Sequence, residues 1–402
     1  MKQLSKIMLA AVASVALAAP AFGWDFSASG SSSAKWMQES VAPASGDGTS
    51  DTNFSSSSGG VTVSSSNTDG PNSATFSYTA DWNGDAGNFD EYVTVSGSKK
   101  VGNWTASSST SQYMQKDVTA GAQPMTAGGS AAITLTDGSI TYKLGDAGHL
   151  STAEKTSGGP MAGIQDAEAS VDSFNGFSVG LGVGPGTLTV ALDMHSGATS
   201  VFFGEDMDDP TSATTTGYDL ATACGADSTG FGLNFAGDVG ADLTFTYATG
   251  SSAAQSDSCT GDNSSNTTSL TTMGLGVAVP VGGMTIALDY EATTYTDKDG
   301  AYDPDDVAAT EAYANDRSKV VSGFELSVTM PVGDATAGVS VSSTSSTVTT
   351  PAGSGDAVVT AGTELWYTVP IGPVSLAIGY GSAVTADAST TTEMGAEMSM
   401  SF

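Results

Sequence analysis

The chain ends on Met394-Gly-Ala-Glu-Met-Ser-Met-Ser-Phe402, which places a large apolar side chain at nearly every second position. Successive side chains of a β-strand point to opposite faces, so this ending separates into an apolar face and a polar face. The apolar face would carry Met394, Ala396, Met398, Met400 and Phe402, and the polar face Glu397, Ser399 and Ser401. The pattern predicts a terminal strand that presents its apolar face to lipid.

The beginning of the chain has the features of a secretory signal peptide. Lys2 and Lys6 precede an apolar run over residues 7–19, and Ala21-Phe22-Gly23 supplies a small-x-small cleavage site. The run is shorter than the roughly 20 residues that a membrane-spanning helix needs. We therefore predict that residues 1–23 direct export and are removed, and that residues 24–402 form the mature domain.

The charge of the chain is strongly negative. Removing Lys2 and Lys6 leaves 9 basic residues against 43 acidic ones, a net charge of −34. Such a surface repels nucleic acid and anionic lipid and attracts cations. The composition therefore excludes a nucleic-acid-binding protein.

The composition and the hydrophobic pattern both favour strands over helices. The chain has 50 glycines and only 13% charged residues, and its Ser, Thr and Gly runs favour strands and turns. Clear two-residue alternation occurs in residues 74–82, 140–144, 177–183, 188–194, 273–279, 284–290, 324–330 and 374–380. The alternate positions are mostly Ser, Thr, Gly and Ala, which suits a water-filled barrel better than a packed core.

Short and long connections alternate along the chain. Short turns such as Asp137-Gly138 and Asp238-Val239-Gly240 join paired runs, whereas long polar segments occupy residues 147–172, 197–228, 251–268 and 296–318. Short turns at one end and long loops at the other are typical of bacterial outer-membrane barrels. We predict an all-β, transmembrane, antiparallel β-barrel of 18 strands. Sixteen strands remain the alternative, because alternation is weak before residue 130.

Three features together resemble the general porin family of Gram-negative bacteria. They are the signal peptide, the terminal Met400-Ser401-Phe402, and the block Gly138-Ser-Ile-Thr-Tyr-Lys-Leu-Gly-Asp146, which a long loop separates from Ser173-Phe-Asn-Gly-Phe-Ser178. The resemblance implies a homotrimeric, water-filled diffusion channel in the outer membrane, with the long loop folded into the lumen as a constriction. It also implies that the outer-membrane assembly machinery recognises Phe402.

The chain departs from that family in two respects. General porins oppose acidic residues on the constriction loop with a cluster of basic residues, whereas this chain has one arginine, Arg317. The loop over residues 147–172 is also the fourth external loop by our count, whereas the family folds the third loop inward. Either two N-terminal strands are miscounted, or residues 115–127 fold inward instead.

The predicted mechanism is passive diffusion of ions and small hydrophilic solutes, with a preference for cations. Carboxylates along a narrow aqueous path raise the local cation concentration. The candidates on polar strand faces are Asp81, Lys143, Asp193, Asp289 and Glu325, and those on the suspected inward loop are Glu154, Asp166 and Glu168. The alternative for each carboxylate is a solvated charge on a loop or rim.

The two cysteines lie in polar stretches on either side of one predicted hairpin. Strands over residues 231–235 and 243–247 would bring the segments that hold Cys224 and Cys259 to the same end of the sheet. Export permits a disulfide between them. Two unpaired thiols are the alternative.

The sequence gives little support for an enzyme or for a metal site. The only histidines, His149 and His195, lie in no nucleophile motif, and Gly-x-Ser-x-Gly, zinc and phosphate-loop signatures are absent. Asp297-Lys298-Asp299-Gly300 departs from an EF-hand, because Ala301 occupies its fifth position. We predict no enzyme activity, no cofactor and no dedicated metal site, and leave weak divalent-cation binding at the acidic loops open.

Two other functions fit parts of this pattern. An exported, acidic, β-rich surface-layer or adhesive protein would share the composition but would have no pore. A sugar-specific channel would need aromatic side chains on the polar strand faces, where few occur.

Overall fold

The structure is a computed structural model, and it describes most of the chain after residue 23. The described residues are 24–55, 58–83, 88–115, 129–146, 148–151, 153–159, 175–195, 227–253, 267–298, 317–350, 353–355, 357–386 and 389–402. The proposed signal peptide, Cys224 and Cys259 lie outside these ranges. Within them, no helix is long and apolar enough to cross a membrane.

Twenty β-strands form a single antiparallel sheet. They are β1 (Asp25–Pro43), β2 (Thr49–Ser55), β3 (Gly59–Asp69), β4 (Asn72–Asn83), β5 (Asn88–Val101), β6 (Trp104–Gln115), β7 (Gly129–Thr136), β8 (Ile140–Asp146), β9 (Asn175–Val183), β10 (Gly186–His195), β11 (Asp227–Asp238), β12 (Asp242–Ala253), β13 (Thr267–Val281), β14 (Met284–Lys298), β15 (Arg317–Val332), β16 (Ala335–Thr350), β17 (Gly353–Ser354), β18 (Val358–Ile371), β19 (Val374–Thr385) and β20 (Ser389–Ser401).

These strands fill 18 positions in a closed wall. The strands β2 and β3 share one position, because β2 pairs with β1 around Lys35–Val41 and β3 pairs with β1 around Asp25–Ser32. The short β17 pairs only with the last residues of β16, while β16 pairs directly with β18. The wall closes where β1 pairs with β20, from Ser31 opposite Ser401 to Pro43 opposite Ser389. The predicted count of 18 strands is confirmed, and the alternative of 16 is wrong.

The outer face of the wall is apolar. Leu192, Leu288 and Leu326 are 46%, 40% and 38% exposed, whereas their sequence neighbours Asp193 and Asp289 are at most 1% exposed. Most large apolar side chains therefore point away from the barrel axis, and most of the side chains buried by wall and loop contacts are polar. This arrangement is the one that a membrane-spanning β-barrel requires, because closure also pairs the backbone groups of every strand.

The C-terminal strand seals the barrel as its alternation predicts. Met394, Met398 and Phe402 are 44%, 49% and 64% exposed on the outer face. The Phe402 amide donates to the Gly30 carbonyl at 2.9 Å, and the Gly30 amide donates to the Phe402 carbonyl at 2.7 Å. A Cβ at Gly30 would lie only 2.7 Å from the Phe402 ring, so the absence of a side chain there makes room for the aromatic.

Connections differ between the two ends of the barrel. Eight short turns lie at one end, together with Trp24 and Phe402, and they include Asp69–Asn72, Asp137–Ser139 and Val332–Ala335. The connections at the opposite end are mostly longer, although the one between β19 and β20 has only three residues, 386–388. The predicted asymmetry between turns and loops is confirmed.

Candidate channel constriction

The inner face of strands β10 to β20, which we call the acidic wall, carries five buried carboxylates among its described residues. They are Asp193, Asp289, Glu325, Glu364 and Glu393. Their exposed fractions are 0%, 1%, 2%, 2% and 8%. Cross-strand register aligns several of them: Asp289 pairs with Glu325, and Gly381 of β19 pairs with both Glu364 and Glu393. Negative charge is therefore concentrated on one part of the lumen wall.

The residues that the sequence proposed as pore-lining fall into three groups. Asp193, Asp289 and Glu325 belong to the acidic wall, and Asp81 lies on the inner face of β4, opposite Asp90 of β5. Lys143 lies on the inner face of β8, and Glu154 is exposed on the loop that follows β8. Asp166 and Glu168 lie outside the described residues.

The described part of the loop after β8, residues 148–151 and 153–159, is the inward loop. It begins at a buried histidine. His149 is 4% exposed, and its Nε2 donates to the Gly145 carbonyl at 2.7 Å, because a carbonyl can only accept. Its Nδ1 lies 2.8 Å from the Ser178 hydroxyl on β9, and Lys143 Nζ donates to the Gly148 carbonyl. These contacts turn the chain from the end of β8 into the barrel.

The next contacts carry the inward loop across β11 and β12. The Ser151 carbonyl accepts from Asn234 Nδ2 at 3.2 Å and from the Thr246 hydroxyl at 2.6 Å. Asn234 and Thr246 are almost fully buried and also bond to each other at 2.7 Å. The loop therefore follows the inner surface of the wall.

Asp289 on β14 is the most heavily bonded wall residue of this region. Its two carboxylate oxygens accept from the Lys155 amide at 2.9 and 2.8 Å. Oδ2 also accepts from the Thr156 amide at 2.7 Å and from the Thr156 hydroxyl at 2.6 Å. Hydrogen bonds with an ionised acceptor are stronger than neutral ones. One wall carboxylate thus holds two successive residues of the loop.

Two further bonds continue this line to β18. The Ser157 amide donates to the Ser327 hydroxyl of β15 at 3.1 Å, and the Gly159 amide donates to Glu364 Oε2 at 2.7 Å. Residues 148–159 span up to about 40 Å when extended. This reach takes the loop from β8 to β18, nine of the 18 wall positions away and therefore halfway round the barrel.

A glycine in the wall allows the loop to approach this closely. Ala153 is 2% exposed, and a Cβ at Gly276 of β13 would overlap its carbonyl group. A Cβ at Gly159 would likewise overlap the carboxylate of Glu364. Both positions need the absence of a side chain because wall and loop are in contact there.

One ion pair fixes the only lysine of the inward loop. Lys155 Nζ lies 3.0 Å from Oδ1 and 3.1 Å from Oδ2 of Asp242, at the start of β12. The Asp242 side chain is 59% exposed, so solvent and salt screen the pair. The contact orients Lys155 toward the end of the barrel that carries the short turns.

The inward loop is the fourth connection at the long-loop end, after those that follow β1, β4 and β6. The sequence offered two explanations for why this loop is the fourth and not the third. The first, a miscount of two N-terminal strands, is wrong. Residues 116–127 lie outside the described part of the chain. In this protein the fourth connection supplies backbone that lies against the inner wall.

Sequence reasoning missed Glu364, although it is one of the loop anchors. In β18 the residues Glu364, Leu365, Trp366 and Tyr367 break simple alternation, because the aromatic Trp366 is 7% exposed on the inner face. The Trp366 ring fills the space that a side chain at Gly338 would need. The available signal was the outward alternation of Thr363, Leu365 and Tyr367, which leaves Glu364 on the inner face, and the inward tryptophan obscured it.

The described residues hold neither an accessible nucleophile pair nor a metal cluster. Ser178 is 1% exposed beneath His149, so a substrate could not reach its hydroxyl. In the described ranges, no three His, Cys, Asp or Glu side chains form a group that could hold a metal ion. The acidic segment from Asp299 to Asp306 lies outside those ranges.

Comparisons with known proteins give only distant matches. No protein-family model matches the sequence, and no curated protein matches it. The solved structures that resemble it include porins and outer-membrane channels. The anion-selective porin from Comamonas acidovorans is 10% identical with a TM-score of 0.47, and the match covers 94% of this chain and 100% of that one.

Two other solved channels give similar values. The outer membrane channel DcaP of Acinetobacter baumannii is 10% identical, with a TM-score of 0.47 and coverage of 95% of this chain and 98% of that one. OccK3 of Pseudomonas aeruginosa is 11% identical, with a TM-score of 0.47 and coverage of 93% and 95%. Similarity this low says nothing about solutes or selectivity, so we infer function from the wall and the inward loop of this chain.

Proposed function

We propose that this protein is an outer-membrane channel of the general porin type, through which ions and small hydrophilic solutes diffuse passively. The single observation that carries the proposal is the inward loop, which lies hydrogen-bonded along the polar inner face of a closed 18-stranded wall. Barrels of this strand number enclose an aqueous lumen unless they are filled by other structure. A loop held against the inner wall narrows such a lumen without filling it.

The channel prefers cations. Asp193, Glu325 and Glu393 place carboxylates on the acidic wall, and Glu154 is exposed on the inward loop. Carboxylates in a confined aqueous path concentrate cations, and salt screens them with a Debye length of about 8 Å at physiological ionic strength. Asp166 and Glu168 of the same connection, together with Asp81 and Lys143, complete the proposed set of pore-lining charges.

The remaining parts of the proposal concern export and assembly. Residues 1–23 direct export of the mature domain, residues 24–402, to the outer membrane of a Gram-negative bacterium, and the assembly machinery recognises Phe402. The protein forms a homotrimer there and acts as a channel and not as an enzyme. The trimer rests on the family resemblance and needs its own test, for which the mass of the purified complex in detergent is sufficient.

Planar-bilayer recording tests the central claim. Purified mature protein should produce discrete conductance steps, and the zero-current potential across a potassium chloride gradient should have the sign of cation preference. If the protein gives conductance steps but no potential of that sign, the channel proposal stands and the cation preference is rejected. An absence of steps from verified folded, inserted protein would overturn the channel and favour a surface-structural protein without a pore.

A further inference from the structure

Two wall carboxylates bind the backbone of the inward loop. Their role therefore differs from that of a carboxylate that attracts permeant ions. Asp289 and Glu364 point at backbone amides of the loop, and their contacts with Lys155, Thr156 and Gly159 measure 2.6–2.9 Å. Loop amides elsewhere on a protein surface are usually satisfied by water. Here they are satisfied by carboxylate oxygens that belong to the wall.

We propose that Asp289 and Glu364 are positioning residues that clamp the inward loop to the wall and thereby set the width of the channel. The proposal deepens the proposed channel function and rests on it for its conductance readout. The amide donors surround the Asp289 carboxylate, so most of its hydrogen-bonding capacity is used by the loop. Selectivity then depends mainly on other lumen charges, including Glu154.

The packing of the loop supports the clamp independently of charge. The Ala153 carbonyl occupies the space beside Gly276 where a side chain would otherwise stand. Gly276 of β13 lies directly opposite Asp289 of β14 in the strand register. Gly276 and Asp289 are therefore neighbours on the wall, and they contact nearby residues of the same loop, Ala153 in one case and Lys155 and Thr156 in the other.

Asparagine at position 289 should weaken the clamp even though it has nearly the same shape. Asp289 offers two acceptor oxygens to Lys155 and Thr156, whereas an amide has one acceptor and a donating NH₂ group. At least one loop donor would then face another donor. Glu364→Gln should have a smaller effect, because Gln can keep its one oxygen on the Gly159 amide.

The first test compares single-channel records of five variants: Asp289→Asn, Glu364→Gln, their combination, Gly276→Ala and a control, Glu393→Gln. Asp289→Asn and Gly276→Ala should both release the loop, the first through lost hydrogen bonds and the second through overlap with Ala153. Each should increase the frequency of transient closures or sublevels by roughly tenfold or more, given the usual strength of charge-assisted bonds. Asp289→Asn combined with Glu364→Gln should exceed either single substitution.

Glu393→Gln is the matched control. Glu393 lies on the same acidic wall, it is 8% exposed, and no hydrogen bond joins it to the inward loop within the described residues. Removing its charge should lower cation preference and leave closures unchanged. If Asp289→Asn and Gly276→Ala give the closure frequency of Glu393→Gln, the clamp is refuted.

A second test does not depend on conductance. A Ser157→Cys, Ser327→Cys pair, in a background with Cys224→Ser and Cys259→Ser, should form a disulfide readily in the folded protein under mild oxidation, because the Ser157 amide lies 3.1 Å from the Ser327 hydroxyl. Adding Asp289→Asn should slow this crosslinking several-fold, because the clamp is then weakened. A Ser157→Cys, Glu393→Cys pair should not crosslink.

The two tests separate the clamp from the channel. Rapid crosslinking at positions 157 and 327 that Asp289→Asn slows, in protein that gives no conductance steps, would support the clamp and reject the channel. Crosslinking at the same rate with and without Asp289→Asn, equal crosslinking of both cysteine pairs, or crosslinking of neither, would overturn the clamp even if the protein conducts.

Discussion

Two parts of the lumen wall have a polar inner face that is built from different side chains. The acidic wall uses carboxylates, and Asp289 alone accepts four hydrogen bonds from the inward loop. The inner face of β3 to β7, which we call the hydroxyl wall, carries Asp81 and Asp90 but uses mainly Ser and Thr pairs between neighbouring strands. Thr62 bonds to Thr79 at 2.9 Å, and Ser73 bonds to Ser98 at 2.7 Å.

The difference teaches where charge is needed in this barrel. Cross-strand hydroxyl pairs satisfy each other and stabilise the sheet without bringing charge into the lumen. Carboxylates are costly to bury unless they gain strong partners. In the described residues the strongest such partners are the backbone amides of the inward loop. These amides donate hydrogen bonds to carboxylates of the acidic wall.

The largest effect is expected where the two walls are joined. The β1 and β20 pairing closes the barrel, and Phe402 makes two backbone hydrogen bonds to Gly30. Deleting Phe402 removes these bonds and an exposed aromatic from the outer face. The amount of folded protein in the outer membrane should fall several-fold, as measured by heat-modifiable mobility on gels. Phe402→Tyr is the control and should assemble normally; equal loss in both would contradict a role for the terminal aromatic.

A smaller effect is expected from the charges of the inward connection. Neutralising Glu154, Asp166 and Glu168 together should reduce the zero-current potential in a potassium chloride gradient, because fewer carboxylates would concentrate cations. The effect should be larger at low salt, where screening is weaker. As a control, Ser96→Ala and Ser109→Ala on the hydroxyl wall should leave the potential unchanged. An unchanged potential in the triple variant would remove this connection from the selective region.

The hydroxyl wall should contribute to stability and not to selectivity. Ser73→Ala and Ser98→Ala remove one cross-strand pair, and a double-mutant cycle should give a coupling of about 0.2–1 kcal/mol. Unfolding of the detergent-solubilised protein measures this coupling. A clear change in the zero-current potential of these variants would mean that the hydroxyl wall also selects ions.

The smallest effect concerns a turn at the end that carries the short connections. The Ile140 and Ser139 amides donate to Asp137 Oδ1, each at 2.8 Å, and lower the pKa of this carboxyl. Its stabilising contribution is complete above the ordinary carboxyl pKa of about 3.9 and is lost as pH falls through the lowered value. Asp137→Ala should therefore unfold at a slightly lower temperature at neutral pH. The difference should shrink in acid, and a constant difference across pH would contradict the hydrogen-bond explanation.

Much of the wall could be predicted from the sequence because barrel strands have a period of two. Alternation placed Asp193, Asp289 and Glu325 on the polar side of their strands, and the turns gave the count of 18. The N-terminal strands were harder, because Ser and Thr occupy both faces in places and the contrast between faces is weak there. The inner face of β18 was hard to assign for a related reason, because Trp366 places an aromatic side chain on that face.

The sequence by itself determined that this chain alternates between an apolar and a polar face, closes on an aromatic terminus and separates short turns from long loops. Those properties are local, because they depend on residues two positions apart or on neighbouring strands. Only the tertiary structure decided that Asp289 and Glu364 meet the loop, and that Gly276 makes room for Ala153. These contacts join residues more than 100 positions apart, and no local pattern encodes which amide reaches which carboxylate once the barrel has closed.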